Sequence, residues 1–166
     1  MREVEVVGVR IELPSNQPLV LLKETDGERH LPIWIGAPEA SAIAFVQQGI
    51  VPPRPMTHDL LASVVTALGR SVSEVRLVSV EDTVFYAELV FDNGVTVSSR
   101  ASDAIAVALR APCPILCAEA VLDEAGVRIA EADEGDEDEE DQENAERELR
   151  QFREFLADVE PEDFER

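Results

Sequence analysis

One structural unit is written twice in this chain. Asp26-Gly27, an apolar run and the alanine-rich Glu39-Ala40-Ser41-Ala42-Ile43-Ala44 return as Asn93-Gly94, a second run and Asp103-Ala104-Ile105-Ala106. Asp-Gly and Asn-Gly supply the positive φ angles of tight hairpin turns. Each half therefore predicts a hairpin whose returning strand enters an acid-led helix. Two such halves predict an α+β fold, a mixed or antiparallel sheet with helices packed on it and an internal repeat. Convergent turn chemistry in unrelated segments is the alternative.

The first half begins with EVEVVGVRIEL over residues 3–13, which alternates apolar and polar positions until Gly8 breaks the phase, as a bulge would. Strands are expected at Leu19–Lys23 and Arg29–Ile35, with Pro32 at an edge or strand end because it donates no ladder hydrogen bond. Pro38 and Glu39 suit the first turn of a helix that stops at Gly49, with Ala40, Ile43, Ala44 and Gln47 on one face. Val51-Pro52-Pro53-Arg54-Pro55 is stiff and extended. Thr57 is expected to cap a helix from His58 to Leu68, with Leu60, Leu61, Val64, Val65 and Leu68 as its buried stripe.

In the second half, strands are expected at Val72–Val80, Val84–Phe91 and Val95–Ser99. Ser102 is expected to cap a buried helix, Asp103–Arg110. A short strand at Ile115–Glu119 and a loose turn or hairpin over Val121–Ile129 close the domain. Cys113 and Cys117 fit as small apolar residues; a disulfide or a two-ligand metal site is the other possibility their spacing allows.

Charge divides the chain. Residues 1–127 hold 17 acids and 9 bases, a balance of -8, while residues 128–166 hold 18 acids and 5 bases, a balance of -13, together the net -21. The expected organisation is a domain at 1–130, a flexible acidic linker at 131–141 and an amphipathic helix with its tail at 142–166. Glu131–Asp141 contains almost nothing to bury and carries dense like charge. Beyond it Leu149, Phe152, Leu156 and Val159 recur at helical spacing, beside Phe155, and would dock on the domain, a sister subunit or another protein.

Such acidity disfavours non-specific nucleic-acid binding, which rewards clustered Lys and Arg. No apolar run is long enough to span a membrane, and the charged, strand-like N-terminus is unlike a signal peptide, so a cytoplasmic location is expected. Phosphate-loop, nucleophile-elbow, His-Glu-x-x-His and Cys-x-x-Cys motifs are absent from the sequence.

Polar residues at structured corners are what remain. Arg54-Pro55-Met56-Thr57-His58-Asp59 could meet a phosphate or a metal at a helix start; helix capping by Thr57 and Asp59, with His58 on the surface, is the plainer account. Ser98-Ser99-Arg100-Ala101-Ser102-Asp103 could form an anion or metal pocket, or could simply cap a helix. Glu39 occupies the corner equivalent to Asp103. Paired carboxylates there could hold Mg²⁺ or Mn²⁺, or each could favour its own helix dipole.

Three ordered blocks carry a resemblance. Leu31-Pro32-Ile33-Trp34-Ile35-Gly36 with Glu39-Ala40, then Arg54–Leu61, then Ser99–Ala106 resemble the bifunctional nuclease domain family over Met1–Val127. The closing FREFL with Asp158–Phe164 is similar to the tail of bacterial members. Ala101 stands where members usually carry proline.

The resemblance implies an often dimeric α+β domain with DNase and RNase activity, and no defined catalytic apparatus. The expected activity is metal-assisted phosphodiester hydrolysis of DNA or RNA. His58, Asp59, Arg54 and Arg100 would be catalytic, Arg29 and Ser99 would touch substrate, and Glu39, Asp59 and Asp103 would hold Mg²⁺ or Mn²⁺. The alternative is a non-catalytic dimeric module that recruits a protein partner through residues 142–166.

Overall fold

A computed structural model describes residues 1–13 and 15–129. The linker at 131–141 and the helix at 142–166 lie outside the described residues. The first half forms β1 (Arg2–Glu12), β2 (Gln17–Glu24), β3 (Arg29–Trp34), α1 (Ala37–Gln47) and α2 (Thr57–Ala67). The second forms β4 (Val72–Glu81), β5 (Val84–Phe91), β6 (Thr96–Arg100) and α3 (Ala101–Ala108), followed by β7 (Ile115–Cys117), α4 (Glu119–Ala125) and β8 (Val127–Arg128). The fold is α+β, with one mixed sheet.

The repeat is visible in the sheet order, β6-β5-β4-β7-β1-β2-β3-β8. Each half is a three-stranded antiparallel meander, and the two flank β7. Because β7 pairs antiparallel with β1 and parallel with β4, the innermost strands of the two meanders run in opposite directions. Each third strand feeds a helix, β3 into α1 and β6 into α3, and these helices pack on each other. One core joins the halves: Val20, Leu22, Leu31 and Ile43 from the first, and Val75, Leu77, Ile105 and Val107 from the second. Nearly every residue of α3 is buried, as its alanine and aliphatic sequence requires.

Local chemistry explains the strand details. The register of β1 on β2 shifts between Val6 and Gly8, the expected bulge. β3 pairs with β8 only through Arg29 and His30, so Pro32 falls on an open stretch where no partner requires its missing N–H. Glu81 and Val84 pair across a two-residue turn in which Asp82 (φ 49°) and Thr83 (φ 68°) both adopt the left-handed conformation. A β-branched residue is strained there, at a cost of about 1–2 kcal/mol.

Several expectations are corrected. Met56, extended at φ -81° and ψ 177°, is the N-cap of α2, and Thr57 is its first helical residue. Arg100 is the N-cap of α3 because β6 runs straight into the helix, which places Ser102 in its first turn. On α2, Leu60, Leu61, Val64 and Leu68 are exposed, whereas His58 is buried. The main neighbour of α2 is α3, so only part of its surface meets the domain. Residues 121–129 contain most of α4 and then β8 rather than a loose turn or hairpin. Both cysteines are free thiols, in keeping with their reading as small apolar residues. No helix among the described residues is long and apolar enough to cross a membrane.

Candidate functional site

Helices α1 and α3 start where β3 and β6 end, and neither has a side-chain cap. The two starts meet. Arg100 Nη2 donates to Glu39 Oε1 at 2.9 Å, and Arg100 Nε donates to Asp103 Oδ2 at 2.7 Å. Asp103 Oδ1 lies 3.0 Å from His58 Nε2 on α2. Four of the sequence-predicted residues thus form one chain of contacts, Glu39–Arg100–Asp103–His58. Gly36 is part of its geometry, since a Cβ there would collide with the Glu39 carboxylate.

Burial pushes the Asp103 carboxyl up, but hydrogen bonds from Arg100 and His58 outweigh it and hold the group below its ordinary value. An ionised Asp103 can only accept, so the contact places a proton on His58 Nε2. In the neutral imidazole Nδ1 is then the free base. The hydrogen bonds that Arg100 donates to Asp103 and Glu39 raise the pKa of its guanidinium, which stays charged. Two of its five N–H groups serve these acids, which leaves three for a ligand. The Arg100 side chain is 69% exposed and that of His58 11%, so the arginine is the outward member. Arg100 lines a cleft of about 510 Å³ together with Trp34, Gly36, Ala37, Thr83 and Ser102.

Asp59 belongs to a different contact. It accepts from Arg110 Nε at 2.5 Å and from the Met56 N–H at 2.9 Å, and these hydrogen bonds hold its carboxyl below the ordinary value. Arg110 is 8% exposed and also donates to Ala106 O at 2.8 Å and Ala42 O at 3.0 Å, tying α1, α2 and α3 together. Arg54 is exposed and makes no ion pair among the described residues. Ser99 Oγ is buried with no hydrogen-bond partner among the described residues.

Arg29 lies at the other end of β3 from Trp34, about 16 Å away at strand rise. Its guanidinium is spent on Glu24, Glu119 and Asp123 at 2.7–3.0 Å. Glu119 also accepts from Arg2 Nε at 2.8 Å; hydrogen bonds from Arg2 and Arg29 take its carboxyl down to about 2. This second cluster joins β1, β2, β3 and α4.

Among the described residues no three His, Cys, Asp or Glu side chains converge so as to hold a metal ion. Glu39 and Asp103 share a guanidinium, and Asp59 is paired with Arg110. In this arrangement the three acids do not fit a bound divalent cation.

Sequence reasoning missed Arg110 and Trp34 as site-forming residues. Arg110 lies seven residues, about two helical turns, after Asp103, so both face α2, where His58 and Asp59 supply the complementary pair. That spacing was the available signal.

A family model described as the bifunctional nuclease domain matches residues 20–130. Two similar proteins of Mycobacterium tuberculosis are Uncharacterized protein MT1877 (strain CDC 1551 / Oshkosh) and Uncharacterized protein Rv1829 (strain ATCC 25618 / H37Rv). Each is 52% identical over 166 residues, covering 99% of this chain and 99% of the relative.

Proposed function

Because the chain belongs to the bifunctional nuclease domain family, we propose that it cleaves phosphodiester bonds in DNA or RNA at the corner where α1, α2 and α3 begin. The observation that carries this is the Glu39–Arg100–Asp103–His58 chain of contacts opening, through Arg100, on the cleft. Glu39 and Asp103 fix the guanidinium from behind. Its remaining N–H groups meet the phosphate and stabilise charge that grows on the oxygens in the transition state. Asp103 holds His58 with its proton on Nε2, so that Nδ1 can accept the proton of the attacking water or hydroxyl. Asp59 acts through Arg110 as a positioning residue for α2. Arg54, exposed and without an ion pair among the described residues, follows the strand's backbone.

A divalent ion would enter only by displacing Arg100 from Glu39 and Asp103. No step is assigned to it. The test is cleavage of end-labelled single-stranded RNA and DNA by the purified full chain, with chelator and with Mn²⁺, against Arg100→Ala and His58→Ala. Cleavage by the wild type that both substitutions abolish supports the proposal. Equal cleavage by all three proteins, or by none, overturns it.

The exposed face of α2 favours a second role. Leu60, Leu61, Val64 and Leu68 form an uncharged strip on a strongly acidic chain, the one kind of surface through which like-charged copies can meet. The contact network also holds two acids to one arginine when His58 is neutral, which repels polyanions. In this second role the domain is a dimeric interaction module whose acidic segment 142–166 recruits a partner protein.

A further inference from the structure

Trp34 is the only tryptophan of the chain, and it ends β3 46% exposed on the wall of the cleft. Ser102 lines the same cleft from the first turn of α3. It is 8% exposed, and its hydroxyl can donate to or accept from a ligand atom that enters the cleft. Arg100 borders the cleft with three N–H groups to spare, and the α1 and α3 starts leave backbone N–H groups uncapped. A volume of about 510 Å³ is of ligand size.

We infer that this cleft is a single-nucleotide pocket, in which Trp34 stacks on a base while Arg100 and the Ser102 hydroxyl hold the attached phosphate. The inference deepens the proposed nuclease function and rests on it for the choice of ligand. An aromatic face accepts any base, so the pocket is indifferent to sequence. It demands an unpaired base, because a base within a duplex has no free face to offer. The substrate class is therefore single-stranded nucleic acid, and a free mononucleotide shares the chemistry.

The lone tryptophan makes the test direct. Intrinsic fluorescence of the full chain is titrated with a single-stranded uridine hexamer, with uridine monophosphate and with inorganic phosphate. Saturable quenching by the hexamer but not by phosphate is expected; quenching by the monophosphate as well would show that a free nucleotide also enters. Ser102→Ala should weaken hexamer binding about tenfold. Trp34→Leu, followed by anisotropy of a labelled hexamer, should weaken it by a similar factor. Circular dichroism checks that both variants fold. Absence of quenching, or affinities unchanged in both variants, overturns the pocket. Cleavage without quenching would sink the pocket and leave the nuclease; quenching without cleavage would do the reverse.

Discussion

Arg100 Nη2 donates to Glu39 Oε1 at 2.9 Å, joining the N-cap of α3 to the first turn of α1 across 61 residues of sequence. Through this contact the two halves of the repeat share one polar site. Because the same guanidinium also binds Asp103, a point-charge ammonium cannot replace it. Arg100→Lys and Arg100→Ala should both lower kcat/KM on single-stranded substrate by about 10²-fold or more. Melting temperature should barely move, since the side chain is largely exposed. Steady-state kinetics and a thermal melt measure the two.

Arg110 should behave in the opposite way. Its removal strands Asp59 and frees the Ala42 and Ala106 carbonyls. Arg110→Ala should cost about 2–4 kcal/mol in denaturant unfolding. Asp59→Asn should cost less and keep cleavage. Loss of cleavage in a stable Asp59→Asn protein would return Asp59 to the chemistry.

Acid should unfold the domain partly through Glu119. Its folded value, about 2, lies below the ordinary 4.5, so the folded chain binds fewer protons than the unfolded one across this interval. The stability it contributes is complete above pH 4.5 and drains as pH falls toward 2. Glu119→Gln should therefore be less stable at neutral pH and show a shallower acid limb. Urea midpoints measured from pH 7 to pH 2 would show both.

Thr83 holds φ 68° in a two-residue turn. Thr83→Gly should stabilise the domain by about 1 kcal/mol, the relief of left-handed strain less the entropy that glycine adds to the unfolded chain. A thermal melt reads the sign. A drop in stability would mean that the threonine side chain makes a contact that outweighs the strain.

The α2 strip offers a test of self-association. Val64 is exposed on it, so Val64→Glu should leave the melting temperature nearly unchanged. If copies pair through this face, sedimentation velocity should show a dimer for the wild type and a monomer for the variant. A monomeric wild type would remove the dimeric role.

Much of the fold was legible because local chemistry enforces it. Asp26-Gly27 and Asn93-Gly94 mark hairpins, Gly8 marks a bulge, and the apolar helix at 101–108 must be buried. Cap positions were misread by one or two residues because β6 enters α3 with no intervening loop. The α2 stripe was misread because periodicity reports that a helix has an apolar face, not that the domain supplies a partner for it.

By itself the sequence determined the duplicated meander-and-helix architecture and the bulge and turn positions, since each follows from interactions among near neighbours along the chain. Only the tertiary structure decided that Glu39, Arg100, Asp103 and His58 form one contact chain while Asp59 pairs with Arg110 and Arg29 with a second acidic cluster. Which acid meets which arginine depends on how the sheet and three helix starts come together in space, and side-chain type and spacing do not encode that distance.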